Sequence, residues 1–490
     1  MDIGAKEQLE DWAATDWRTA SKRVRNLRRR IYRATKNAQW NEVRSLMKLM
    51  LRSRANLLLS VRRVTQDNQG KRTAGIDDQL ILTPKARVKL VRQMLEHAAW
   101  RVKPAKRIYI PKANGKQRPL GILTIKNRVA QAIVKNALEP SWEARFEAHS
   151  YGFRPGRSTH DAIEQCWRRL NRHCKDRWVL DADVQDAFDN ISHEFILQRL
   201  GLVPARGLIK QWLKAGYVEA ELFHDTVGGV QQGGVVSPVL ANIALDGMQQ
   251  LLGSKVGFIR YADDFVVTAR SREQIEALKP VIAEWLSERG LVMNEEKTRI
   301  VPVQTGFDFL GFNIRHYRGV CLVKPAKGKV LTLLSNIRQW LKEHRQVEAG
   351  VVVRYLNTLL RGWSQYYRCA SSAQAFGYAK HQTWCALWQW CKRRHPAKSR
   401  NWIKRKYFRS QAGRDWSFFA ETTNDRGEQS VDFLIDISMI PIERHTKVRG
   451  SASPDDPELC DYWSDRRLRG SKRLAEPGST ANSVRRMLRA

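Results

Sequence analysis

Phe258-Ile-Arg-Tyr-Ala-Asp-Asp-Phe-Val-Val267 sets two adjacent carboxylates, Asp263 and Asp264, between two short apolar runs. The runs read as strands, and side chains alternate faces along a strand. Only a tight turn at Tyr261-Ala-Asp-Asp264 brings both acids to one place. Their like charges repel there, and a bound metal cation is the usual compensation. For the dipeptide alone, a solvated Asp-Asp turn is the commoner outcome. A second acidic strand end changes that balance: Val179-Leu-Asp-Ala-Asp183-Val-Gln-Asp-Ala-Phe-Asp189-Asn also runs from apolar residues into carboxylates. Two acidic strand ends in one core point to a metal cluster. Nucleotidyl transfer uses two hard cations about 3.5–4 Å apart, one activating a 3′-hydroxyl and one carrying the triphosphate.

The charge balance agrees. Lysine and arginine number 86 against 49 acids in 490 residues, a net charge of +37. That excess is too large for an enzyme of small neutral substrates and favours a polyanion, most often nucleic acid. A hydrophobic fraction of 42% allows two to four globular domains. No run approaches the roughly 20 apolar residues of a membrane span, so no membrane partner is expected. The early acids Asp2, Glu7, Glu10, Asp11 and Asp16 do not fit a secretory or transit peptide. Seven scattered cysteines without a C-x-x-C pair read as free thiols in a reducing cytosol. The expected location is cytoplasmic and nucleoid-associated.

Along the chain, Arg18 to Lys36 holds nine basic residues and no acid, with Val24, Leu27, Ile31 and Tyr32 at helical spacing. Helical pattern continues to Val64, and Asp67 to Gly75 breaks it. Strand-like and helical runs then alternate from Arg107 to about Cys321, and a Trp-rich helical pattern runs from Val330 to about Tyr407. The remainder reads as polar and irregular.

The order and spacing of these elements resemble the right-hand palm of reverse transcriptases. Arg107-Ile-Tyr-Ile-Pro-Lys112 with Gly115-Lys-Gln-Arg118-Pro-Leu-Gly is similar to the first fingers motif, and Ser150-Tyr-Gly-Phe-Arg-Pro-Gly-Arg157-Ser to the second. The Asp183 strand resembles motif A. Gly229-Val-Gln-Gln-Gly233-Gly with Ser237-Pro-Val-Leu-Ala-Asn242 resembles motif B, Tyr261-Ala-Asp-Asp264 motif C, Leu291 to Thr298 motif D, and Phe307-Asp-Phe-Leu-Gly311-Phe the primer grip. Two departures stand out: Gln231 and Leu123 occupy positions where the family usually has proline. Losing that fixed φ loosens template handling in expectation. Leu356-Asn-Thr-Leu-Leu-Arg-Gly-Trp-Ser-Gln-Tyr-Tyr-Arg368 and the stretch to Arg394 resemble the thumb and maturase region of group II intron-encoded proteins.

The resemblance implies an α+β right-hand polymerase (fingers and palm) with an α-helical thumb/maturase domain. The expected divisions are a basic helical extension over 1–75, fingers-palm over 76–322, thumb/maturase over 323–420, and a basic DNA-binding tail over 421–490. Carried over by position, Asp183, Asp263 and Asp264 are the catalytic and metal-binding triad, with the Val184 carbonyl a further ligand to two Mg²⁺ ions. Lys112, Arg118, Phe188 and Gln232 fall where the family contacts the incoming dNTP, Phe188 as the aromatic that excludes a 2′-hydroxyl. Core packing is the competing explanation for Phe188, and Asp189 reads as structural. Arg361, Tyr366, Tyr367 and Arg368 combine cations and aromatics in the way RNA binding uses them, although aromatics of a helical thumb also build core. Lys392 to Arg409 adds nine basic residues without an acid.

Arg444 to Leu459 resembles the linker that in many relatives precedes an HNH endonuclease. After Gly450 only Cys460 and no histidine follow, so no such nuclease is expected here, and composition predicts disorder. The implied function is an RNA-directed DNA polymerase that binds a group II intron RNA, assists its splicing and copies it at a DNA target. Two alternatives stand beside it: a splicing cofactor that only binds RNA, and a domesticated or defence-associated reverse transcriptase. Three clustered acids argue against the first, and the nucleotide sequence around the gene separates the second.

Overall fold

The computed structural model describes residues 11–96, 100–111, 115, 117–411, 413–423 and 429–475. Lys112 lies outside the described residues, as does the end of the tail from 476 to 490. The first basic run forms the helix Trp17–Lys36, capped by the Asp16 carboxylate, which accepts from the Thr19 N–H at 3.0 Å. Val24 and Ile31 face inward and pack with Leu46, Met47 and Met50 of the next helix, Trp40–Arg52. Arg18, Lys22, Arg23, Arg25, Arg30 and Arg33 are exposed.

Strands β1 (Ala105–Pro111) and β2 (Gln117–Ile122) pair antiparallel, and β3 (Trp178–Asp183) opens the central sheet. The short strands β4 (Tyr217–Glu219) and β5 (Leu222–His224) return to the first sheet, giving the order β2-β1-β4-β5. Next, β6 (Gly257–Tyr261), β7 (Asp264–Ala269) and β8 (Arg299–Pro302) complete the central sheet in the order β6-β7-β3-β8. Strand parity divides its two faces. Leu180, Ala182, Phe265 and Val267 join one core with the helices Ile125–Glu143 and Ser237–Ala244. Val179, Ile259 and Val266 join a second core with the helix Thr159–Leu170 and the aromatic residues that follow.

β9 (Phe307–Phe309), β10 (Phe312–Tyr317) and β11 (Val320–Pro325) form a third sheet leading into the helices Lys327–Glu343, Ala349–Tyr367 and Ala373–Arg394. The molecule is thus α+β, with helical segments at both ends of the chain and strands mixed with helices between them. All seven cysteines are free. Among the described residues no helix is long and apolar enough to cross a membrane.

The region after Tyr407 departs from the sequence expectation. β12 (Phe408–Gln411), β13 (Arg414–Thr423) and β14 (Gln429–Phe433) form an antiparallel sheet, so the division expected at 420 falls inside a strand. The segment expected to be disordered is folded through the helix Cys460–Ala475. Its anchors are apolar: Val448 (0% exposed), Ala452 and Trp463 make a small core, and the Trp463 indole lies where a Cβ on Gly156 would sit 2.5 Å from it. Polar contacts reinforce them, with Asp161 accepting from the Val448 N–H at 2.8 Å and Arg157 donating to the Gly450 carbonyl at 2.9 Å. Local composition misses this because the partners lie far away in sequence. The segment also reaches the first helix. Arg28, unlike the exposed basic residues of that helix, is bonded to Glu139 at 2.9 Å and Asp455 at 2.6 Å.

Candidate active site

In the central sheet Asp183 is the direct cross-strand partner of Asp264, and Tyr261 pairs Asp264 on the other side. Opposed residues of an antiparallel pair point to the same face, so the ends of β3 and β7 deliver two carboxylates together. Asp263 sits in the two-residue turn between β6 and β7, whose first residue, Ala262, has a left-handed φ of 59°. That conformation costs a non-glycine residue about 1 kcal/mol, and two contacts hold it. Arg260, 1% exposed, donates to the Ala262 carbonyl at 3.1 Å and to Asn242 Oδ1 at 3.2 Å. Gly152 packs so closely beneath the turn that any Cβ there would collide with the Ala262 backbone nitrogen.

The second fingers-like motif is therefore a cradle for the acidic turn. Asn242 Nδ2 donates to the Gly152 carbonyl at 2.9 Å, and the Tyr151 N–H to the Arg260 carbonyl at 2.9 Å. Arg154, fully buried, makes a two-point ion pair with Glu143 at 3.0 Å. Neither Arg260 nor Gly152 is given a role by the motifs that contain them. A charged residue inside the apolar run Phe258-Ile-Arg-Tyr is the sequence signal for the first.

Residues 110–314 match the reverse transcriptase (RNA-dependent DNA polymerase) family, 12–94 the N-terminal domain of reverse transcriptase, and 330–408 the group II intron maturase-specific domain. Protein YkfC of Escherichia coli is 32% identical over 355 residues, spanning 63% of this chain and 87% of that protein. The chain belongs to the group II intron-encoded reverse transcriptases. The group II intron-encoded protein LtrA of Lactococcus lactis is 26% identical over 413 residues, covering 64% of this chain and 68% of that protein. An uncharacterized 91 kDa protein in the cob intron of Schizosaccharomyces pombe is 25% identical over 412 residues, covering 66% and 51%. The enzyme is an RNA-directed DNA polymerase with a maturase domain; that domain implies RNA binding, and the reverse transcriptase family generally uses divalent cations.

The electrostatics of the candidate site follow from the burial of its acids and then from their crowding. Burial, then the charges of Asp263 and Asp183, push Asp264 up to about 7. Burial likewise raises Asp263, and Asp181 on the same strand face as Asp183 to about 6. The Lys297 ammonium is bonded to Asp183 and is itself held above its ordinary value by that bond. Among the described residues no three acids or imidazoles close into a finished metal cage. The Asp183 backbone is fixed by the Asn294 N–H, which donates to its carbonyl at 2.9 Å, and buried Val184 bridges Met293. Motif D thus braces the end of β3.

Arg118 and Gln232 come together, the Arg118 Nε donating to Gln232 Oε1 at 2.9 Å. Phe188, half-buried, meets Phe153 edge-on at 6.0 Å and lines a cleft of about 520 Å³ with Arg107, Asp189 and Gln232. Gln231 replaces the usual proline constraint with a bond, its Nε2 donating to the Gly216 carbonyl at 3.2 Å. Leu123 is buried, and its carbonyl accepts from Arg128 at 2.8 Å.

The thumb residues expected to contact RNA are mostly engaged internally. Tyr367 is 5% exposed, its ring 5.0 Å from Phe312, and Tyr366 packs on Phe312 and His160 while its hydroxyl donates to the Leu310 carbonyl at 2.9 Å. Arg368 pairs with Glu443 at 2.9 Å. These three side chains join the thumb to the primer-grip turn and the C-terminal segment rather than waiting for a base. Arg361 is half-buried on the same helix.

Proposed function

We propose that Asp183, Asp263 and Asp264 hold two Mg²⁺ ions, with the Val184 carbonyl as a further ligand, and that DNA is built there from dNTPs on an RNA template. The donor set supports this, since hard cations prefer carboxylate oxygens, and Asp263 and Asp264 are raised by burial first and then by the like charges beside them. When bound, the ions would activate the primer hydroxyl and neutralise the triphosphate. The chain's own residues do the positioning. Lys112 and Arg118 hold the triphosphate by charge, Gln232 and Phe188 wall the sugar, and Phe188 fills the space a 2′-hydroxyl would need.

The template is a group II intron RNA, which the same chain binds, helps to splice and copies at a DNA target. Phosphate contacts come from the exposed basic face of Trp17–Lys36 and from a groove between two thumb helices lined by Arg338, Lys342 and Arg393. The observation that carries the proposal is the register of Asp183 against Asp264 on one face of the sheet. Its test is Asp263→Asn, which removes a ligand charge with little change of shape. Primer extension should be lost while splicing assistance by the same preparation persists; loss of both in a folded protein would mean that the two functions share this site.

A further inference from the structure

Asp189 sits on the short helix Ala187–Asn190 just after β3, yet its carboxylate belongs to no strand contact or cap. Instead its Oδ2 accepts from Gln232 Nε2 at 2.9 Å, and Gln232 Oε1 accepts from Arg118 Nε at 2.9 Å. The backbones on either side are already locked. The Gly121 N–H donates to the Gln232 carbonyl at 2.7 Å, the Val230 N–H to the Phe188 carbonyl at 2.6 Å, and the Gly229 N–H to the Ile191 carbonyl at 2.8 Å. Gly229, at φ 83°, lies so near that a Cβ would sit 2.5 Å from the Asp189 carbonyl oxygen. Three segments are thus fixed, and the side-chain row Asp189, Gln232, Arg118 crosses all of them.

We infer that Asp189 is a positioning residue for the incoming nucleotide, acting on Arg118 through the Gln232 amide. A primary amide has two ends of nearly equal shape and opposite polarity. An ionised carboxylate only accepts, and a guanidinium only donates. Between those two partners the amide has one satisfied orientation, its NH₂ toward Asp189 and its oxygen toward Arg118. Remove the carboxylate charge and the amide can turn over, presenting a donor to a donor. Arg118 is exposed at the tip of the β1-β2 hairpin, so without the Gln232 oxygen it regains the rotamer freedom of a long surface side chain. Asp189 would touch neither nucleotide nor metal; it sets where the triphosphate cation waits.

The inference rests on the proposed role of Arg118 at the triphosphate, and the test separates the two. The full chain is assayed on a poly(rA)/oligo(dT) template-primer over a dTTP series. Arg118→Ala should raise KM for dTTP, and Asp189→Asn should raise it by about tenfold with kcat within about twofold. Asp189→Glu, which keeps the acceptor, should recover most of the loss. Adding Asp189→Asn to Arg118→Ala should change KM by less than about twofold, because the effect passes through the missing guanidinium. Asp189→Ser also removes the charged acceptor and should reproduce Asp189→Asn; it replaces that variant if the latter does not fold. A raised KM in Arg118→Ala beside an unchanged KM in Asp189→Asn, or effects that multiply in the double variant, overturns the inference alone. An unchanged KM in Arg118→Ala removes the triphosphate role of Arg118, and the inference with it.

Discussion

Asp161 and His445 meet at 2.9 Å although 284 residues separate them. Asp161 also accepts from the Val448 N–H and from Arg466 at 3.3 Å, and none of its side chain is exposed. It is the residue through which the C-terminal segment is fastened to the start of the helix Thr159–Leu170. Burial alone would raise its carboxyl, but the bonds from His445 and Val448 outweigh burial and hold it at about 2.

Replacing Asp161 by Asn should therefore destabilise the fold by about 3 kcal/mol, the scale for breaking one partner of a buried ionic network. Because the folded value lies below the ordinary 3.8, the carboxylate's contribution is complete above about pH 4 and disappears as pH falls toward 2. Urea titrations of wild type and variant at pH 7 and pH 3 check both statements: the difference between the proteins should shrink at the lower pH.

Gly152→Ala should impair polymerisation by about a hundredfold, the scale on which small misplacements of catalytic groups act. The added methyl would collide with the Ala262 backbone, so it displaces the turn that carries Asp263. RNA binding, proposed to rest on distant basic residues, should be retained. Primer extension and filter binding on one preparation measure the two; equal loss of both would mean that the substitution unfolds the chain.

Asp264 gives the site a pH dependence of opposite sign to that of Asp161. Its folded value of about 7 lies above 3.8, so the cation-free protein should lose stability as pH rises from about 4 to about 7, the range in which the folded state still holds a proton that the unfolded state has given up. Divalent cations must expel that proton to bind. The gain in Tm on adding Mg²⁺ should be larger at pH 8 than at pH 6, and an equal gain at both would remove Asp264 from the ligand set.

Neutralising Lys22, Arg25 and Arg33 to Gln should flatten the dependence of log K on log salt for RNA by about 0.7–0.9 for each phosphate left without its cation. All three are exposed on the first helix. Arg28→Gln should act differently, lowering stability rather than the salt slope, because its guanidinium is committed to Glu139 and Asp455. A salt titration of binding distinguishes the two kinds of arginine.

What is legible in the sequence is what short-range periodicity encodes. The central sheet can be read because alternating strands end in paired acids, and the first helix because Val24, Leu27 and Ile31 repeat at helical spacing. The β12-β13-β14 sheet hides because polar residues break up its apolar pattern, although Phe408, Phe418, Phe419 and Ala420 are buried. Tyr366 and Tyr367 look like a stacking surface for RNA in sequence, and only packing against Phe312 shows where their rings go. Arg260 and Gly152 act through Ala262, a contact made across the fold that no spacing rule reports.

The pairing of Arg28 with Asp455 spans 427 residues and so sets a clock on synthesis. At about 5–20 residues per second, ribosomes need roughly 20–90 seconds between the two partners. During that interval the first helix has emerged and Glu139 can already meet Arg28, so its basic surface is complete before its last internal tie exists. On the proposed function, that surface is presented to RNA while the chain's own closing contact is still being translated.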